Sequence, residues 1–249
     1  MLARSLLPAH FVTWNARTGA PFGGPFALAR GNCSNRIWEY PWAFYATPLR
    51  PGMRALDIGG GLSGFPIVLA LAGLDVVVVD PDTEARHPAE VLRAWSRHCG
   101  TTLDVIRSTL DGSGHAPDSF DVAFCLSVLE HVFDEDARAT IVCGAWNLLK
   151  PGGLFVLTVD LDLHCQPFSD RLRAAGSQNV SIPEILHAAP FEMLVGEPSE
   201  LLGCAGFDPG AVIHRAASGE LLLGSRHVLS QGVVLRKRNL PPGQPPTPA

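Results

Sequence analysis

Between Met53 and about Val159, short apolar runs alternate with helix-length amphipathic stretches, the pattern of parallel strands joined by crossover helices. The runs Arg54 to Ile58, Asp75 to Asp80, Leu103 to Ile106, Phe120 to Leu126 and Leu154 to Val159 are each bounded by Gly, Pro or acidic residues, and they predict five strands. Between them, Ser63 to Leu71 predicts a helix with Pro66 in its first turn, where a missing N–H costs little, and Gly73 to end it. Pro88 to Cys99 opens on Pro and stops at Gly100, while Asp134 to Lys150 opens on Asp, Glu and Asp and closes at Lys150-Pro151-Gly152-Gly153. Beyond Asp160 the pattern loosens. Helices are expected near Pro183 to Ala189 and Ser199 to Ala205, and the apolar runs Ala211 to His214 and Val228 to Leu235 are expected to form a final antiparallel pair.

Residues 1–50 have no clear period but are crowded with aromatics, among them Trp14, Trp38, Tyr40, Trp42 and Tyr45, which reads as a cap or lid and not a linker. Residues 51–239 then form the main domain, and the proline-rich stretch from Leu240 to Ala249 is expected to be a disordered tail. A 249-residue chain that is 47% hydrophobic can bury one large core without disulfides or metals. Its net charge of −5, with no long basic run, argues against broad contact with a phosphate backbone or an anionic membrane, and favours a small neutral or cationic partner. Six cysteines show no C-x-x-C pair or metal-ligand spacing and read as reduced thiols. No stretch approaches the roughly 20 apolar residues needed to span a bilayer, so a cytoplasmic protein without a metal is expected.

The chemistry concentrates in Asp57-Ile58-Gly59-Gly60-Gly61-Leu62-Ser63-Gly64, which follows a predicted strand and opens a predicted helix. Gly59-x-Gly61-x-x-Gly64, with Asp80 about 20 residues on, also satisfies the dinucleotide fingerprint, so spacing alone does not choose a ligand. Charge does discriminate. A pyrophosphate at the helix N-terminus would be opposed by the carboxylate of Asp57, whereas a ligand presenting an ammonium and a sulfonium would be attracted.

Downstream lie Ser119-Phe120-Asp121-Val122-Ala123-Phe124-Cys125-Leu126-Ser127-Val128-Leu129-Glu130-His131-Val132 and Leu148-Leu149-Lys150-Pro151-Gly152-Gly153-Leu154-Phe155-Val156-Leu157. Together with Pro51-Gly52-Met53-Arg54-Ala55-Leu56-Asp57-Ile58-Gly59, these segments resemble, in order and spacing, the motifs of the Rossmann-like, class I S-adenosylmethionine-dependent methyltransferases, over about residues 50–160. The resemblance implies an α/β, doubly wound, mostly parallel seven-stranded sheet with an antiparallel last strand. It also implies S-adenosylmethionine as co-substrate and a small-molecule methyl acceptor. Asp57, Gly59, Gly60 and Gly61 would line the methionine end of the ligand, and Asp80 would accept from both ribose hydroxyls. Pro81 would abut the adenine, and Cys125, Leu126 and Ser127 would lie along the ligand. The glycine that the family's alternation expects at position 63 is a serine here. The acidic residue near the adenine amino group is best sought in Asp111, with Thr109 or Leu110 as the alternatives.

In similar enzymes the element before the first strand closes over the methionine end, so Arg36, Glu39 or Tyr40 is expected to hold its carboxylate or ammonium, with aromatic rings shielding the sulfonium. His131 and His164 are candidate general bases, although Glu130-His131 reads more readily as structural. Asp160, Asp162 and His164 alternate after the fifth strand, either as a substrate or metal site or simply as polar residues at a strand end. Arg236-Lys237-Arg238 reads as a solvated strand end. With no assignable base, the same ligand would also serve a cyclase or lyase, or a non-catalytic binding subunit.

Overall fold

The computed structural model describes residues 33–61, 63–81, 88–163, 178–221 and 228–239. Seven strands form one sheet: β1 (Arg54–Ile58), β2 (Asp75–Asp80), β3 (Asp104–Arg107), β4 (Phe120–Leu126), β5 (Leu149–Asp162), β6 (Phe191–Val195) and β7 (Val228–Lys237). Their order across the sheet is β3-β2-β1-β4-β5-β7-β6. Strands β1 to β5 pair in parallel, and β7 runs antiparallel between β5 and β6. This is the Rossmann-like sheet with an antiparallel last strand that the family resemblance implies.

Alternation along each strand divides the core between two faces. Leu56, Ile58, Val77, Val79, Ala123, Cys125, Phe155 and Leu157 pack against helix α4 (Glu135–Leu148) and helix α5 (Ile182–Ala188). On the opposite face, Ala55, Val76, Val78, Val122, Phe124 and Val156 meet α1 (Cys33–Tyr45), α2 (Phe65–Leu71) and α3 (Pro88–His98). Phe65 anchors α2, with its ring 5.0 Å edge-on from Phe124 and 5.3 Å from Tyr40 of α1. The described part of the N-terminal segment is therefore helical over Cys33–Tyr45, and this helix packs into the main core. Residues 1–32 and the tail 240–249, with the expectations placed on them, lie outside the described residues.

Three expectations past Asp134 are corrected. The helix expected to run to Lys150 ends at Leu148, because Lys150 to Gly153 belong to the start of β5, which opens at Leu149 and carries a register shift against Phe120/Val122. The run Ala211 to His214 is not a strand. It lies in helix α6 (Pro209–Ala217), where Val212 and Ala216, four residues apart, are buried on one side. The side chain of Asp208 caps that helix by accepting from the backbone N–H of Gly210 at 2.8 Å and of Ala211 at 3.1 Å. The partner of β7 is instead β6, and the helix expected at Ser199 to Ala205 is a 3₁₀ turn over Pro198–Glu200 followed by turns.

Helix α1 crosses β7 at Gly232, where a Cβ would stand 2.7 Å from the ring of Trp42. Glycine is required there by close approach, not by backbone angle. Gly232→Ala is expected to lower unfolding stability by about 1–3 kcal/mol through overpacking, read as a lower urea midpoint with an unchanged slope.

Candidate functional site at the C-terminal ends of the central strands

The loop after β1 is shaped by its glycines. Gly59 and Gly61 take φ of +67° and +50°, in the left-handed region that favours glycine. Gly60 has no room for a side chain, since a Cβ would lie 2.7 Å from both Asp57 Oδ2 and Val78 Cγ1. The loop is tied to β2 twice: Gly59 N–H donates to the Val79 carbonyl at 2.8 Å, and Gly61 N–H donates to Asp80 Oδ2 at 2.8 Å. Ser63, which departs from the glycine alternation, uses its hydroxyl. Ser63 Oγ donates to Tyr40 Oη at 3.0 Å and accepts from Phe65 N–H at 3.0 Å, joining loop, α1 and the start of α2.

Beneath the loop, Asp57 is 3% exposed and its Oδ2 has no hydrogen-bond partner. Burial first, and then the charge of Asp80, push its carboxyl up to about 8. An orphaned carboxylate oxygen under a glycine loop suits a cationic ligand group and opposes a pyrophosphate.

The end of β4 carries a second cluster. Ser127 has φ +52°, unusual for a residue with a side chain, and its N–H donates to both the carbonyl (3.0 Å) and Oγ1 (3.1 Å) of Thr158 in β5. Its hydroxyl accepts from Arg36 Nη1 at 2.5 Å and donates to Glu39 Oε1 at 2.6 Å, and Arg36 and Glu39 are themselves ion-paired. Burial pulls the Arg36 guanidinium pKa down. Glu39, with Tyr40 and Asp160, more than reverses this and leaves it above the usual arginine value. Tyr40 Oη is pushed up by burial, partly offset by Arg36, whose guanidinium lies 5.9 Å from the ring centroid.

Glu130 adds a third buried carboxylate. It is fully buried, its Oε1 accepts from Asp160 N–H at 3.3 Å, and its Oε2 has no partner. Burial and the charge of Asp160 push its pKa well above the usual carboxylate range. Asp160 in turn accepts from Ser230 Oγ at 3.0 Å.

Asp57, Gly59, Gly60, Gly61, Asp80, Leu126, Ser127, Tyr40 and Arg36 are therefore gathered at one end of the sheet. Cys125 is different: its side chain is wholly buried in the core, and burial, followed by the charges of Glu130 and Asp57, pushes its thiol well above the ordinary range. Pro81 is exposed just past β2, and Asp111 is exposed in a 3₁₀ turn after β3, where the Thr109 side chain lowers its pKa. His131 is exposed while its neighbour Glu130 turns inward, and His164 lies outside the described residues. Glu39 was one of three alternatives in the sequence, and the structure makes it the most buried of them.

Among the described residues, no helix is long and apolar enough to cross a membrane, and no group of three or more His, Cys, Asp or Glu side chains is placed to hold a metal ion. Residues 56–155 match the family described as Methyltransferase domain. A ubiquinone biosynthesis O-methyltransferase from Cereibacter sphaeroides is 33% identical over 162 residues, covering 64% of this chain and 61% of that protein. The chain thus spans about three fifths of the length of that relative. Among solved structures, an S-adenosylmethionine-dependent methyltransferase from Mesorhizobium loti aligns over 80% of this chain and 97% of its own with a TM-score of 0.54 at 20% identity. Phosphoethanolamine N-methyltransferase 2 from Haemonchus contortus, in complex with S-adenosyl-L-methionine, aligns over 91% of this chain and 60% of its own with a TM-score of 0.55 at 17% identity. At these identities the two structures speak for the fold alone.

Proposed function

We infer that this chain, which belongs to the Rossmann-like, class I S-adenosylmethionine-dependent methyltransferase family, transfers the sulfonium methyl of that co-substrate to a small-molecule acceptor. The observation that carries the reading is Asp57. A buried carboxylate with an orphan oxygen, directly under a loop that would otherwise suit a phosphate, selects a ligand with positive charge.

The residues present fit that ligand. Asp57 would face the ammonium, and the glycines at 59, 60 and 61 would let the backbone approach closely. Asp80 would take the ribose hydroxyls, Pro81 would lie against the adenine, and Asp111 would stand on the side of its amino group. Leu126 and Ser127 would run along the ligand at the end of β4, while Arg36 and Tyr40 of α1 would close the methionine end. The bound sulfonium supplies an already activated methyl group, so the protein's share is to hold the acceptor in line with it and to keep water out. His131, a candidate base, is exposed beside the buried Glu130, whose Oε1 accepts from Asp160 N–H.

Calorimetry with S-adenosylhomocysteine, followed by product analysis with S-adenosylmethionine and candidate acceptors, tests the reading. Saturable binding and acceptor-dependent release of S-adenosylhomocysteine are expected. Methylthioadenosine formed without an acceptor would point to a cyclase or lyase instead, and absence of binding would remove the reading altogether.

A further inference from the structure

A cavity of about 320 Å³ opens beside the polar cluster, bounded by Trp42 of α1, Leu201, Leu229, the exposed Glu197, and Ser230 and Gln231 of β7. It lies where β6 ends at Val195 while β7 runs on from Gly232 back to Val228, so this edge of β7 has no paired strand among the described residues. Its volume is at the lower end of the range of small-molecule sites, roughly 300–1,000 Å³.

Three features tie it to the methyl-transfer end of the sheet. Leu126, Thr158 and Gly232 stand in one row across β4, β5 and β7, which sets the wall formed by Trp42 over Gly232 two strand spacings, roughly 10 Å, from Leu126. Ser230, which lines the cavity, donates to Asp160 of the polar cluster at 3.0 Å. Trp42 also lies on the helix that carries Arg36, Glu39 and Tyr40, so one element borders both spaces.

The lining specifies a chemistry. Gln231 is 4% exposed, and its Nε2 donates to the Glu200 carbonyl at 2.6 Å; a carbonyl only accepts, which fixes the amide orientation and leaves Oε1 as a buried acceptor with no donor. Among the described lining residues no side chain is cationic, while Glu197 and Glu200 are acidic, and the nearby Arg215 is ion-paired with Glu200 and Glu220. A carboxylate or phosphate on the ligand would meet repulsion here, and an aromatic ring could lie against Trp42.

We propose that this cavity holds the methyl acceptor, and that the acceptor is a one-ring molecule, uncharged or cationic, presenting an N–H or O–H donor to Gln231. The assignment rests on the methyltransferase reading, and its test keeps the two apart.

Phenol, tyramine and 4-hydroxybenzoate, which share a ring and differ in charge, are titrated by ligand-observed NMR against the full chain, with and without S-adenosylhomocysteine. Binding of S-adenosylhomocysteine is measured by calorimetry on the same samples. Phenol and tyramine are expected to bind in competition with each other, with 4-hydroxybenzoate at least roughly tenfold weaker. Gln231→Leu should weaken phenol and tyramine by about tenfold while S-adenosylhomocysteine binds as before, which also shows that the variant is folded. Glu197→Lys, at an exposed position, should raise the affinity for 4-hydroxybenzoate. Equal binding of all three probes, no binding of any, or a Gln231→Leu variant that binds phenol and tyramine normally would overturn the proposal. Loss of S-adenosylhomocysteine binding in the unaltered chain would instead overturn the methyltransferase reading.

Discussion

Asp80→Ala is expected to weaken S-adenosylmethionine binding by about a hundredfold, the effect of removing two hydrogen bonds to a charged acceptor. The carboxylate ends β2, and its Oδ2 already accepts from Gly61 N–H at 2.8 Å. Each carboxylate oxygen has two acceptor sites, so the group can hold the loop and still receive both ribose hydroxyls. The alanine variant loses both duties. Asp80→Asn separates them: its amide oxygen can still take Gly61 N–H, but its NH₂ cannot accept a hydroxyl proton, so an intermediate loss is expected with the loop intact. Calorimetry on the two variants, with urea denaturation as the control for folding, makes the comparison. A loss below roughly fivefold in Asp80→Ala would take the ribose away from this residue.

Why β1, β2 and β4 could be read to the residue, while the last third of the chain could not, follows from how each segment is buried. Val76 to Val79 and Val122 to Cys125 are covered on both faces, so they appear as unbroken apolar runs, followed within two residues by the polar Asp80 and Ser127. Strand β6 is a sheet edge; Glu192, Leu194 and Val195 are partly or fully exposed, and its five residues leave no such run. The four positions Ala211 to His214 are too short a run for their apolar pattern to separate a strand from a helix. The Asp208-Pro209 pair just before it is a helix start, and Val212 with Ala216 completes the helical spacing.

The site divides in the same way. Asp57, the glycines and Asp80 are expected as ligand contacts from local features of the chain, a glycine loop after one apolar run and an acidic residue ending the next. Glu39 with Ser127, Glu130 with Asp160, and Trp42 with Gly232 are partnerships across many residues, and nothing local marks them. Cys125 shows the converse, a position near the strand end whose side chain faces the core, which the unbroken apolar run does not reveal.

Binding of S-adenosylmethionine is expected to tighten by roughly tenfold between about pH 6.5 and 7.5 and to release close to one proton at neutral pH. In the free protein Asp57 is pushed up to about 8, by burial first and by Asp80 second, so it is mostly neutral at pH 7. A cationic group binds the carboxylate and not the acid, and the ligand must therefore displace the proton. The gain ends near the pH where the ligand's own α-amino group, with an ordinary pKa of about 7.7–8.0, loses its charge. The sign for folding is the opposite. Because the folded pKa lies above the ordinary value of 3.8, the native state holds a proton that the unfolded chain releases, and stability falls as pH rises from about 4 to about 8. Asp57→Asn should flatten both profiles and abolish the proton release, measured by calorimetry in two buffers of different ionisation enthalpy. Asp80→Ala, by removing the second cause, should shift the rise in affinity to lower pH on top of its own loss. An affinity that stays flat from about pH 6 to 8 in the unaltered protein would show that no cationic group of the ligand meets Asp57.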